Sequence, residues 1–370
     1  MIGRSSEGSG PMELTRGWLP AVLMLCVLLA GAGIAWAAEG GKPEAAPPAA
    51  AAGEVTAVAL PGAPADGVML DYLAADRARH RIWVPAGGTG NAVVIDAKTF
   101  EVRKVENFPT AEVERRGQKR KVGPSAASVG DGVVYIGDRA DSSVCAVDAA
   151  TLERGGCVTL PSGIDGVCYV GKKKEVWVST PGDNAIVVLD VSAPKAPKIS
   201  ATIKFEGGPE GYSVDEAHGF FYTNLEDKDR TLRIDVATRK VVATWNPACG
   251  EAGPRGLVIE PSGRFLMVAC TDHVEVLDTA KDGQILSKLD TGKGVDSFDY
   301  LPGKRLLYVA AGGAATLTVA HLDENGMLTS TATVQTAAGA RNAVVAEDGT
   351  AFVADGREGK ILVIKPAKGK

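Results

Sequence analysis

Apolar and polar residues alternate in short runs along most of the chain, and from residue 67 onward the runs form a repeat. Each copy holds a run built around an aromatic or large apolar residue, a polar turn rich in Gly and Asp, and a second run. The first runs are Ile82-Trp83-Val84, Val134-Tyr135-Ile136, Val176-Trp177-Val178, Phe221-Tyr222-Thr223, Leu266-Met267-Val268, Leu307-Tyr308-Val309 and Ala351-Phe352-Val353. The second runs end at Asp96, Asp148, Asp190, Asp235, Asp278, His321 and Lys365, at spacings of 52, 42, 45, 43, 43 and 44 residues. Short alternating runs separated by Gly-rich turns read as antiparallel strands. The spacing is that of a four-stranded unit repeated around an axis.

The last copy, residues 340–366, supplies three strands, while Glu54-Val55-Thr56-Ala57-Val58-Ala59-Leu60 stands alone ahead of the first copy. Placed as the outer strand of the last unit, that segment closes the ring and covers an open edge. The expected fold class is therefore all-β: a seven-bladed β-propeller closed by an N-terminal outer strand that completes the last blade. It occupies residues 54–366, with 367–370 as a tail. A chain of 370 residues would ordinarily suggest two domains, but a fold that grows by repetition makes it one.

Several pieces of the repeat carry a family resemblance: Pro209-Glu210-Gly211, Pro254-Arg255-Gly256, Pro261-Ser262-Gly263, Tyr308-Val309-Ala310-Ala311 and Val276-Leu277-Asp278-Thr279. With these the chain resembles the YVTN-type, YncE-like propellers, an extracytoplasmic family, over about residues 54–366. The resemblance implies the architecture and a surface or periplasmic binding role. It does not imply a particular activity, because function resides in sites carried by the fold.

Composition refines this picture. Gly supplies 45 of the residues, above a usual share of roughly 7%, and is expected at tight turns that need positive φ. A net charge of -5 argues against a nucleic-acid partner. At the N-terminus, Arg16 precedes an apolar run from Trp18 through Ala38 that ends in Ala35-Trp36-Ala37, the pattern of a secretory signal with a small-x-small cleavage site over residues 1–37. The same run is long enough for an uncleaved membrane anchor. Residues 38–53, rich in Ala and Pro, read as a spacer. The expected location is periplasmic or extracellular, with a membrane tether where the run is retained. The propeller itself is expected to be monomeric.

Candidate chemistry concentrates at the tunnel. Counting back from each aromatic run places Asp71, Ser125, Asp165, Glu210, Arg255, Asp296 and Arg341 at the second position of the seven innermost strands. Six of the seven are charged, where average composition would put about a quarter. As a ligand-binding set, Asp71, Asp165, Glu210, Arg255, Asp296 and Arg341 suit a small polar ligand. No cofactor is firmly implied; Asp165 and Glu210 offer oxygen ligands for Ca²⁺ or Mg²⁺. Asp71, Asp165, Glu210 and Asp296 also show a distant resemblance to gluconolactonase-like propellers, which implies a metal-assisted lactonase or related hydrolase. Against that reading, those enzymes have six blades and use Asn ligands. An ion-pair network is the competing expectation: Glu210 beside Arg255, and Asp296 between Arg255 and Arg341.

The connection from blade 1 to blade 2 is about ten residues longer than its equivalents and carries Arg115, Arg116, Lys119, Arg120 and Lys121, a candidate surface for an anionic partner. The loop Asn224–Arg230 is dense in oxygen ligands but lacks the Ca²⁺-loop spacing. His80, His218, His273 and His321 fall in different repeats with no zinc spacing. Elbow, phosphate-loop and haem-attachment motifs are absent, so no catalytic residue is assigned. Five cysteines follow the signal; Cys145 with Cys157 and Cys249 with Cys270 are the expected disulfides, leaving Cys168 as a small buried residue. The expectation is an exported binding protein and not an enzyme.

Overall fold

The computed structural model describes residues 53–115 and 117–367. The expected signal, all of the spacer except Gly53, Arg116 and the last three residues lie outside the described residues. Among the described residues, no helix is long and apolar enough to cross a membrane.

Seven four-stranded antiparallel sheets follow one another along the chain. Their innermost strands are Ala74–Asp76, Pro124–Val129, Val167–Val170, Pro209–Asp215, Leu257–Ile259, Val295–Leu301 and Arg341–Val345. The last sheet is completed from the other end of the chain. Val55–Ala59 pairs antiparallel with Lys360–Ile364, with Val55 opposite Ile364 and Ala59 opposite Lys360. The chain is a seven-bladed β-propeller, and the segment read as its closing strand occupies that place.

Burial shows why each strand has its sequence. The second strands Val133–Asp138 and Glu175–Thr180 are buried at every position. A central strand packs against neighbouring blades on both faces, so it tolerates little polarity on either. The outer strand Lys198–Lys204 is exposed or half-buried throughout, and polar residues alternate along it. The core is accordingly divided among seven apolar clusters, one at each junction between blades. At the closing junction, Ile82, Val84, Val93 and Ile95 of blade 1 pack with Phe352, Ile361 and Val363 of blade 7.

Glycine serves two purposes, of which only one was expected. Gly211 has a φ of 66° and forms a bulge between Glu210 and Tyr212 in the inner strand of blade 4. Gly166 is needed for space: a Cβ there would lie 2.1 Å from Cε1 of Tyr212. Meanwhile Asn184, Lys174 and Asp229 occupy left-handed positions that glycine was expected to fill.

The long basic connection between blades 1 and 2 is a β-hairpin, Ala111–Arg115 paired with Gln118–Val122. Its register sets Glu112 opposite Lys121 and Glu114 opposite Lys119. Lys119, Arg120 and Lys121 are exposed, yet acidic residues face two of them across the strands. A run that is basic when read along the chain is therefore partly balanced in space.

Cys145 and Cys157 are directly opposite on the third and outer strands of blade 2 and form a disulfide. Cys249 and Cys270 form a second. Cys168 is buried and free.

Candidate functional site at the tunnel mouth

The mouth is shaped by irregular starts to the inner strands. In blades 2, 4, 6 and 7 the ladder slips at Ser125, at Gly211, over Asp296 and Ser297, and at Asn342. In blades 1, 3 and 5 the regular strand begins after Asp71, Asp165 and Arg255. In blades 3 and 5 the backbone stays tied to the second strand across the irregularity, with the Asp165 N–H donating to the Ser179 carbonyl at 2.9 Å and the Arg255 N–H to the Ala269 carbonyl at 2.8 Å.

The charged side chains occur as ion pairs. Arg255 Nη1 lies 3.5 Å from Glu210 Oε1 and 2.5 Å from Glu226 Oε1. Arg341 Nη1 lies 3.2 Å from Asp296 Oδ2. Arg139 Nη2 pairs with Asp71 Oδ2 at 2.7 Å and also with Asp165. Arg139 comes from the turn that follows the second strand of blade 2, the blade whose ring position is the uncharged Ser125. It thus supplies a cation where the ring lacks a charge, between carboxylates of blades 1 and 3. The expected Glu210–Arg255 and Asp296–Arg341 neighbours do meet, but Asp296 does not bridge to Arg255, whose second partner is Glu226. Arg139 and Glu226 are additional members. A count of inner-strand positions could not show them, because both sit in turns that close over the mouth.

Two tyrosines cross the bore beside the ring. Tyr72 Oη donates to Asp165 Oδ2 at 3.1 Å and accepts from the Gly211 N–H at 3.3 Å. Tyr212 Oη accepts from the Val167 N–H at 3.2 Å, and the two rings stack at 5.3 Å. With Tyr72 and Tyr212 in its wall, a cavity of about 250 Å³ runs along the inner strands. Its other polar groups include Ser128, Ser297 and the Arg77–Asp299 ion pair, whose closest N–O distance is 2.6 Å.

Proton affinities at the mouth are displaced. Burial above all, with Asp165 and Asp296 nearby, pushes Asp71 up to about 7 against the opposing pull of Arg139. Burial, a hydrogen bond shared with Glu226 and the negative field of Asp165 push Glu210 up to about 9. A carboxyl raised in this way holds a proton near neutral pH and can donate a hydrogen bond.

The arrangement does not favour a metal at Asp165 and Glu210. Asp165 is occupied by Arg139 and Tyr72, and Glu210 by Arg255 and Glu226. The oxygen-rich Asn224–Arg230 loop is used for local structure: Asp229 accepts from the backbone N–H groups of Cys249 and Gly250, at 3.1 and 3.0 Å. On the partner candidates, Arg115 and Gln118 close the hairpin register, Lys119, Arg120 and Lys121 are exposed on its second strand, and Arg116 lies outside the described residues.

No family model matches the chain, and no curated protein matches its sequence. Solved structures do match it. Hydrazine synthase from Kuenenia stuttgartiensis aligns with a TM-score of 0.67 at 17% identity, over 82% of this chain and 96% of that one. A chain of the mitotic checkpoint complex gives 0.69 at 13% identity, over 90% and 98%. U3-55K gives 0.68 at 10% identity, over 86% and 100%. At these identities the likeness concerns backbone architecture, and what it shows is a WD40-like β-propeller.

Proposed function

We propose that this chain is an exported β-propeller binding protein that holds a small polar ligand at its tunnel mouth, on Asp71, Asp165, Glu210, Arg255, Asp296 and Arg341 together with Arg139. One observation carries the reading: ionisable groups of both signs are gathered, partly desolvated, around one mouth of the bore, outside the lining of the cavity that Tyr72 and Tyr212 help to wall. Burying charge is costly. A ring needed only for stability is more cheaply built from apolar residues. Paired charges at a mouth suit a ligand that exchanges one hydrogen-bonding partner for another, and the high proton affinities of Asp71 and Glu210 add donors to the acceptors. Arg341, with its side chain 48% exposed, is the group most open to an incoming molecule.

Export is supported by the apolar run through Ala38 and by two cysteine pairs suited to an oxidising compartment. The run leaves room for a membrane tether. The Pro-x-Gly and Tyr-Val-Ala-Ala motifs support placing the chain with YVTN-type, YncE-like propellers. The lactonase alternative is disfavoured, since arginines engage the carboxylates it would use as metal ligands.

The test is thermal-shift and calorimetric titration with a panel of sugars, sugar acids, amino acids, Ca²⁺ and Mg²⁺. A binder lost in Arg341→Ala and Glu210→Gln, with the fold retained, supports the site. A binder indifferent to both substitutions places binding elsewhere. Ca²⁺ or Mg²⁺ lost on Asp165→Ala revives the hydrolase.

A further inference from the structure

A cluster of metal-type ligands lies in blade 5, outside the ion-paired ring. Its second strand, Phe265–Ala269, and third strand, His273–Asp278, are joined by a tight turn in which the Cys270 N–H donates to the His273 carbonyl at 2.8 Å. The turn brings Cys270, His273 and Glu275 together. One ligand atom from each lies within 4.8 Å of the others, and all three residues are buried. Asp272 Oδ1 lies 2.6 Å from His273 Nδ1, so Nε2 is turned towards Glu275, whose Oε1 is 3.3 Å away.

Two further observations point to a cation. Glu275 is 3% exposed, and its Oε2 has no hydrogen-bond partner. A buried acceptor in that state has given up its water with no partner in return, a deficit that a bound cation removes. A second sulfur is also present, because Cys249 arrives from the connection between blades 4 and 5 and is bonded to Cys270. Cys270, His273 and Glu275 are the three ligands already gathered, and opening the disulfide would free Cys249 to approach as the fourth of a tetrahedral set. Asp272 on Nδ1 is the outer carboxylate that commonly orients a zinc-ligating histidine. The other disulfide lacks this environment: Arg154 Nη2 lies 3.6 Å from both Cys145 and Cys157 sulfurs, a cation where a metal would need room.

We propose that the Cys249–Cys270 pair is a redox gate on a zinc site. In the dithiol form Cys249, Cys270, His273 and Glu275 hold one Zn²⁺; in the disulfide form they do not. Reduction by a small dithiol puts two electrons into the S–S bond, yields two thiols and leaves the reductant as its own disulfide. Zinc binding then releases both thiol protons. Thiolate donors select Zn²⁺ over Ca²⁺ or Mg²⁺.

The experiment uses the full chain, reduced with dithiothreitol, desalted without oxygen and titrated with Co²⁺ as a spectroscopic substitute, then with Zn²⁺. One Co²⁺ per chain is expected, with thiolate-to-cobalt absorption in the near ultraviolet and displacement by Zn²⁺. The untreated chain should bind none. His273→Ala and Glu275→Gln should each weaken binding at least about tenfold, while replacing Cys145 and Cys157 by Ser should leave it unchanged. Cys249→Ala, which removes the disulfide without reductant and keeps three ligands, serves as the second arm, with circular dichroism reporting the fold. Folded protein that takes up no Co²⁺ in either arm overturns the proposal, as does binding indifferent to His273→Ala. Loss of the fold in both arms also overturns it, because the gate would then have no open state.

Discussion

Arg139→Ala removes the cation shared by Asp71 and Asp165. The side chains of Arg139, Asp71 and Asp165 are 18%, 15% and 18% exposed, so water compensates little for its loss. At 2.7 Å and an effective dielectric of about 20, one such pair has a gross attraction of about 6 kcal/mol. Most of that offsets desolvation, and stripping one partner from a buried pair typically costs about 3–5 kcal/mol. Asp71 can relieve the strain by taking up a proton, since burial already holds it near 7 against the pull of Arg139. Removing Arg139 raises it further. A carboxyl whose folded value lies above its unfolded value gains stability as pH falls, so the variant recovers more than the wild type does on acidification. The expected deficit is about 3–5 kcal/mol at pH 8 and about half that at pH 5. Guanidinium unfolding at the two pH values, followed by tryptophan fluorescence, measures it, and Asp71→Asn in the same background should restore much of the loss. A deficit under about 1 kcal/mol, or one equal at both pH values, would refute the reasoning and return the mouth to a solvated surface.

Three further outcomes follow from the same geometry. Glu210 is raised to about 9 and Asp71 to about 7, so the wild-type melting temperature should fall as pH rises from 5 to 9; Glu210→Gln should flatten the upper part of that slope, and an unchanged slope would exclude Glu210 as its source. Gly166→Ala places a Cβ 2.1 Å from the Tyr212 ring, so denaturation should show a loss of about 1–3 kcal/mol; wild-type stability would mean that Tyr212 moves freely. Deleting Val55–Ala59 strips the partner from Lys360–Ile364, and should lower the melting temperature and raise light scattering through the open edge; an unaltered melt would show that the ring does not depend on its closing strand.

The propeller was legible because it is periodic. Strand alternation repeats at near-constant spacing, and a three-strand last copy with an unattached strand near residue 55 leaves one simple way to close the ring. The ring positions could be counted approximately for the same reason, yet only Ser125, Glu210 and Asp296 are second residues of their inner strands, while Asp71, Asp165 and Arg255 precede theirs and Arg341 begins its own. What could not be counted was anything reaching the site from a turn. Arg139 and Glu226 belong to turns that differ from blade to blade, and only the closed ring brings them against Asp71, Asp165 and Arg255. Tyr72 and Tyr212 would pass as ordinary strand residues until the bore becomes narrow enough for them to span it. The basic run after Glu114 looked uniform because charge was read along the chain, whereas a hairpin pairs it across strands with Glu112 and Glu114. His273 seemed isolated among histidines, yet its partners are a cysteine and a glutamate placed beside it by a turn and by strand periodicity. By itself the sequence determined the number of blades and their closure, since local patterning dictates these. Which charges pair, where the cavity lies and which groups lose their water were decided by the tertiary structure, because those depend on distances between blades that no single repeat contains.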